Sequence, residues 1–337
     1  MTDLKTKFMG IEIKNPVIIG ASNLTSDLES LVKLEEHGAA AVVFKSLFEE
    51  QIELENLELQ ESMAEYNDRH AEMTTLFPKI ELGGPEEHLE KLKNAKKKLS
   101  IPVIASLNAI YEDTWLTYSK LIAETGVDAI ELNFYAVPRK FDMNASEIIS
   151  QQVSIFEKVK KSLTIPVAAK LSPFYSNPLN VIKQMDDKGA DGFVLFNNLY
   201  QPDIDIMDET LIYPYLLSNQ ADNRLPLRFA ALLYKNIQAG ICSNTGIYSG
   251  RDVVKMLLAG ADCVQVVSSV YRNGMSQIGA MITEIADWMK MKNYKSIDDF
   301  KGKLAKINLK DPFAFRRAQY IDIMMKQSDF YKKSLIV

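Results

Sequence analysis

The stretch that decides the fold is AGICSNTGIYSGRDVVKMLLAGADCVQVVSSV, residues 239–270. An apolar run at 239–242 breaks into the polar turn Ser243-Asn244-Thr245-Gly246-Ile247-Tyr248-Ser249-Gly250. Val253, Val254, Met256, Leu257 and Leu258 follow at helical spacing, and Gly260-Ala261-Asp262 leads into a second apolar run at 263–267. Strand, glycine turn, helix and strand make one βαβ unit of a parallel sheet. A glycine turn at the C-terminal end of such a strand can offer free backbone N–H groups to a phosphate, helped by the positive end of the next helix.

Outward from this unit the same grammar repeats. Gly126-Val127-Asp128 and Gly189-Ala190-Asp191 match Gly260-Ala261-Asp262: glycine ends a helix, aspartate turns the chain, and a strand begins. Eight strands are predicted, at 15–20, 41–44, 102–107, 129–132, 166–171, 192–196, 239–242 and 263–267. Eight parallel strands alternating with helices predict an α/β protein of the (β/α)8 TIM-barrel class, with an open doubly wound sheet as the alternative. One domain is expected over 1–337. An acidic insertion follows strand two (about 49–99, closing with a Lys-rich helix to Leu99), and the C-terminal tail, about 290–337, reads as mixed helix. The helix after strand one is expected from Ser26 to His37, burying Leu28, Leu31, Val32 and Leu34. The connection from Asn198 to Lys235 is too long for an ordinary loop and is a candidate lid.

Composition narrows the function. The 337 residues carry 39 basic and 44 acidic side chains, a net charge of −5, which argues against nucleic acid as the partner. Cys242 and Cys263 fall within strands and read as reduced core thiols. No apolar leader opens the chain and no run approaches a membrane span, so a soluble, cytoplasmic protein is expected. His37, His70 and His88 lack metal-ligand spacing, so no metal is expected, and Glu49-Glu50 read as a solvated face.

Barrel chemistry sits at the C-terminal ends of the strands. Those ends here carry Ser22 and Asn23, Lys45, Asn108, Asn133, Lys170, Asn197 and Asn198, Ser243 and Asn244, and Ser268. Two lysines and several amides at one mouth suit a planar, polar, electron-rich ligand bearing a phosphate. Any one asparagine could merely end its strand. Lys170 is harder to read that way, because at that depth it must be paired or face an anion.

These residues, in this order, resemble the dihydroorotate dehydrogenase family, closest to its soluble class 1 members. The resemblance is carried by Asn15-Pro16 with Ala21-Ser22, Lys45-Ser46, Glu131-Leu132-Asn133 and Lys170-Leu171-Ser172-Pro173-Phe174. It continues through Asn197-Asn198, Thr245-Gly246-Ile247 to Gly250, Leu258-Ala259-Gly260-Ala261, Gln265 and the segment 294–304. It implies a (β/α)8 barrel that binds FMN and passes hydride between flavin and a small planar, pyrimidine-like molecule at a CH–CH bond, within pyrimidine metabolism. Ala21, Ser22, Lys45, Asn108, Asn133, Lys170 and Asn198 would hold flavin, with the lysine charge stabilising the reduced, anionic ring. Backbone N–H groups of Thr245 and Gly246, with Ser268, would take the phosphate. Asn133, Asn197 and Asn198 would reach substrate. A homodimer and a separate electron-transfer partner are implied as well.

The pattern breaks after Asn133. Where the family carries Ser-Cys-Pro-Asn, with the cysteine (serine in another class) as base, this chain has Phe134-Tyr135-Ala136-Val137-Pro138, two residues shorter. The family's Asn-x-Met-Gly motif is replaced by Lys79-Ile80-Glu81-Leu82-Gly83, its Gly-Gly phosphate turn by Thr245-Gly246, and the glycine before Ser268 by Val267. Lys45, Tyr135 and Lys170 are therefore the catalytic candidates, and dihydroorotate is expected to be a poor substrate. A phenol ionises only near pH 10 in ordinary surroundings, so Tyr135 would be a weak base unless a lysine favoured its phenolate, and the reading set against it, and ahead of it, is an aromatic wall over the flavin. Two alternatives stay open: a flavin-binding protein without catalysis, and a phosphate-binding lyase or isomerase in which Lys170 forms a Schiff base.

Overall fold

A computed structural model describes residues 2–53, 84–135, 141–199, 201–212, 214, 217–316 and 319–325. The parallel strands are β1 (Val17–Ile19), β2 (Ala41–Val43), β3 (Val103–Asn108), β4 (Ala129–Phe134), β5 (Val167–Leu171), β6 (Gly192–Leu195), β7 (Gly240–Asn244) and β8 (Cys263–Val266). Each pairs with the next, β8 returns to β1 (Gln265 opposite Ile18), and β2 pairs with β3 (Val42 opposite Val103), which closes the ring. The fold is the (β/α)8 barrel. The outer helices are α1 (Leu28–Glu36), α2 (Pro85–Lys98), α3 (Glu112–Glu124), α4 (Ala145–Ser162), α5 (Pro178–Asp186), α6 (Arg224–Leu233), α7 (Gly250–Ala259) and α8 (Ser276–Met291).

Side chains alternate across each strand. One set faces the helices: Val17, Ile19, Val42, Val103, Ile130, Phe193 and Val264 belong to the outer core. The other set fills the bore, where Ile18, Ala41, Val43, Ile104, Ala129, Ala168, Val194, Cys242 and Cys263 make a second apolar cluster. Both cysteines are free, buried and opposite each other in register, as reduced core thiols should be.

The lower end of the bore is stoppered. An antiparallel hairpin, Thr6–Phe8 with Ile11–Ile13, places Phe8 and Met9 in the inner cluster. A Cβ at Gly192 would meet Met9 and Phe8 at 2.8 Å, so the plug is fitted against bare backbone.

The three Gly-x-Asp repeats do more than turn the chain. Asp128 accepts from the Val103 N–H (2.8 Å) and from Lys96 of α2 (2.7 Å). Asp191 accepts from the Val167 N–H (2.7 Å) and pairs with Lys160 of α4. Asp262 accepts from the Ile241 N–H (2.7 Å) and from Lys301 (3.0 Å). Each carboxylate satisfies an amide at the start of the neighbouring strand and ties it to a lysine from outside the barrel.

Several local expectations change. Asp27 caps α1 by accepting from the Ser30 N–H at 2.9 Å, so the helix starts at Leu28, which is exposed, while Leu31 and Leu34 are buried. The long connection after β6 holds an exposed hairpin (Asp203–Asp205 with Thr210–Ile212), a 3-10 turn (Gln220–Asn223) and the barrel helix α6 itself. That helix, RLPLRFAALL, carries Pro226 in its first turn, which reads locally as a breaker although a proline is tolerated there. The tail runs through 3-10 turns after α8 before a short helix at Gln319–Met325. Within the acidic segment, α2 occupies the end; 54–83, including His70 and 79–83, lies outside the described residues, as do 136–140 and 326–337.

Glu49 is a correction. It is buried, not solvated, and accepts from the Ile110 N–H, the Tyr111 N–H (3.0 Å) and the Thr114 hydroxyl (2.7 Å). The amides opening α3 need an acceptor, and an acidic side chain complements that helix end.

Candidate active site

At the upper end of the bore the inward positions turn polar. Ile104 is followed two residues on by Ser106 and then Asn108; Ala129 by Glu131 and Asn133; Ala168 by Lys170; Cys242 by Asn244; Cys263 by Gln265. The strands thus carry apolar side chains low in the barrel and amides and charges high in it. Above them opens a cavity of about 320 Å³, at the lower end of the range for small-molecule and cofactor sites.

Of the residues singled out from the sequence, Ala21, Ser22, Asn23, Lys45, Asn108, Asn133, Tyr135, Lys170, Asn197, Asn198, Asn244, Thr245, Gly246 and Ser268 line this cavity; Ser243 does not, being fully buried within its strand. On one wall the amides interlock. Asn108 donates to the Asn133 carbonyl (2.9 Å), and Asn197 donates to the Asn133 side-chain oxygen (3.0 Å). Asn244, beside them, donates to the Phe196 carbonyl at 3.1 Å. Ser22 has a second task as N-cap of the turn Asn23–Thr25, accepting from the Leu24 N–H at 3.3 Å. Tyr135 stands at the rim, 41% exposed.

Lys170 is 6% exposed and is paired: its Nζ lies 3.3 Å from Glu131 Oε1 and 3.5 Å from Gln265 Oε1. Glu131, known from the sequence only as part of a motif, is the partner that burial of Lys170 demanded. The signal was there, since a glutamate in an otherwise apolar strand needs a cation.

The phosphate-type turn is built as a cradle. Thr245 (φ +74°) and Gly246 (φ +71°) are both left-handed, so a β-branched residue holds a conformation natural to glycine. A Cβ at Gly246 would lie 2.4 Å from the Asn223 nitrogen, so only glycine fits there. Its N–H, expected to be free, donates to the Ser218 hydroxyl at 3.2 Å, and that hydroxyl is 3.0 Å from Ser268 Oγ. Ser218, which no sequence signal marked, therefore joins Gly246 and Ser268 at one point. The start of α7 is consumed internally: Ser249 caps it, and buried Asp252 accepts from the Tyr248 N–H (3.2 Å), Asn223 (3.2 Å) and Lys255 (2.8 Å). Burial opposes ionisation of Asp252, but hydrogen bonds from Lys255, Ser249 and Gln220 outweigh it and hold the carboxyl below its usual range. The helix dipole expected to help a phosphate is thus already answered by Asp252.

His88 of α2 stacks edge-on against Phe44, with ring centroids 5.2 Å apart. Burial first, then the charges of Lys45 and Lys91, push its pKa down to about 4, so it is neutral near pH 7. Among the described residues no group of three His, Cys, Asp or Glu side chains could hold a metal, and no helix is long and apolar enough to cross a membrane.

This architecture has relatives. The family model for dihydroorotate dehydrogenase matches residues 80–289. The chain belongs to the dihydroorotate dehydrogenase family. Membership makes it a dehydrogenase of the class that acts on CH–CH bonds. The dihydroorotate dehydrogenase B (NAD(+)) catalytic subunit of Endomicrobium trichonymphae is 30% identical over 314 residues, covering 90% of this chain and 98% of that protein. The catalytic subunit of the same name from Thermoplasma volcanium is 28% identical over 307 residues, 90% of this chain and 98% of its own. The NAD-dependent dihydropyrimidine dehydrogenase subunit PreA of Escherichia coli K12 is 24% identical over 321 residues, 89% and 76%. The matched family span omits β1 and β2, and with them Ala21, Ser22 and Lys45; these residues nonetheless line the same cavity as the rest.

Proposed function

We propose that this chain binds FMN in the barrel mouth and oxidises or reduces a small, planar, pyrimidine-like ring. The observation that carries this reading is the convergence of two lysines, three interlocked amides and a glycine cradle on one cavity. The donor set fits the cofactor. Lys45 and Lys170 offer positive charge to an electron-rich ring, and Asn108, Asn133 and Asn197 offer amide donors and acceptors. Gly246 N–H, Ser218 and Ser268 meet where a phosphate oxygen would be held. When bound, FMN would supply the hydride chemistry.

The chain's own residues do the rest. The lysines would place positive charge beside the ring, the asparagines would orient ring edges, and Tyr135, at the rim, would take or give a proton. The Lys170–Glu131 pair supports the dehydrogenase over a Schiff-base lyase, because a nucleophilic amine must be neutral and a carboxylate neighbour opposes that. The names of the relatives, catalytic subunits of NAD(+)-linked enzymes, support a separate subunit that relays electrons. A homodimer and a cytoplasmic location complete the proposal.

The purified protein should be yellow, and dihydroorotate, dihydrouracil and related rings should be screened for bleaching of its flavin bands. A colourless protein that does not take up FMN would end the reading. Dihydroorotate should bleach slowly, because a missing general base costs ~10²–10⁴-fold; turnover at the rate of its relatives would show that the base has been replaced. With the best reductant in hand, Tyr135→Phe should slow bleaching by about 10²-fold or more with FMN still bound. An unchanged rate would make Tyr135 a wall.

A further inference from the structure

The bore of the barrel contains a polar cluster that the proposed chemistry does not use directly. Glu131 comes from β4 and Gln265 from β8, on opposite sides of the ring, and each is 1% exposed. Gln265 Nε2 donates to Glu131 Oε2 at 2.6 Å, while Gln265 Oε1 faces Lys170 Nζ. Glu131 Oε1 makes no hydrogen bond among the described residues; its one compensation is the ammonium 3.3 Å away.

We infer that Glu131 is a positioning residue, a buried counter-ion that with Gln265 keeps the Lys170 ammonium charged and aimed into the cavity. A buried ion pair is a poor device for stability, since apolar side chains of similar volume usually serve as well or better. What the carboxylate supplies is charge at Lys170. Burial costs the ammonium its hydration, and a second cation, Lys45, lines the same cavity. Among the described residues the remaining titratable group of the lining is Tyr135, and the neighbouring strand β6 carries none. Glu131 is thus the group placed to oppose both effects. Gln265 fixes the carboxylate's direction through one end of its amide and touches the ammonium with the other.

The inference rests on the flavin reading only for the ligand that Lys170 serves, so its test needs no flavin. In the flavin-free full-length chain, modification of Lys170 by trinitrobenzenesulfonate at pH 8, located by mass spectrometry, reports the neutral amine. Glu131→Gln should speed it about tenfold or more, and Glu131→Asp should largely restore protection. Gln265→Glu, which adds a carboxylate beside the ammonium, should slow it. That opposite sign separates charge from loosening: rates that rise alike in Glu131→Gln and Gln265→Glu, or no change in Glu131→Gln, would overturn the inference. If Glu131→Gln does not fold, Gln265→Glu alone decides, and faster modification there sinks it. FMN binding is measured separately by quenching of flavin fluorescence; its failure would overturn the flavin reading and leave this test readable.

Discussion

The two ends of this barrel solve the same problem in opposite ways. At the lower end every strand must begin beside solvent, and the backbone amides there are met by Asp128, Asp191 and Asp262, each tied to a lysine. Those carboxylates are half-buried and their lysines come from outside the ring. At the upper end the charges lie inside the ring, in Lys170 and Glu131, and the amides of Asn108, Asn133 and Asn197 face the cavity. One end spends its polar groups on the backbone and holds the fold. The other aims them at a ligand, with a lysine and a glutamate buried side by side beneath the cavity.

The largest expected effect strikes the upper end. Lys170→Met leaves Glu131 buried without its cation, and chemical denaturation should show a loss of about 3–5 kcal/mol. The double substitution Lys170→Met/Glu131→Leu should recover most of that loss. If the single change were no worse than the double, the contrast between the two ends would collapse.

Acid should find the same end through His88. Its folded pKa, about 4, lies below the ordinary 6.5, so the unfolded chain binds the extra proton. The stability that neutral His88 contributes is complete above pH 6.5 and is lost as pH falls to about 4, an effect on the order of 3 kcal/mol. Comparing the wild type with His88→Phe across that window isolates it: the substituted chain should lose less stability on acidification. Equal slopes would sink the assignment.

The lower end should show the smallest effect. Asp191→Ala strips the Val167 N–H of its acceptor and Lys160 of its partner, which should cost about 1–3 kcal/mol. Affinity for FMN should not change. A loss of FMN binding as large as that from a cavity substitution would mean that the two ends are not independent.

Much of this was legible because parallel strands buried on both faces read as unbroken apolar runs, and because glycine and aspartate mark where each strand begins. The polar ends of the strands were legible too, so much of the polar lining of the cavity was readable from them. What hid was the second partner in each buried interaction. Glu131 sits in Ala-Ile-Glu-Leu-Asn and Gln265 in Cys-Val-Gln-Val, and nothing local says that β4 and β8 face each other across the bore. Glu49 looked like its solvated neighbours because its partners, at 110–114, lie some sixty positions away. Ser218 lies in a long connection with no periodicity, and its role appears only once the turn at Gly246 is folded against it.

Among the described residues, the hairpin that lodges Phe8 and Met9 in the base closes the barrel there and leaves its mouth as the opening. Whatever reacts at its centre must arrive and leave by the mouth, past Tyr135 and the segment that follows β6. Two reactants too large to share that opening would have to take turns, each waiting for the other to clear. An order of events is thereby imposed by a stopper on the far side, whose residues touch neither reactant.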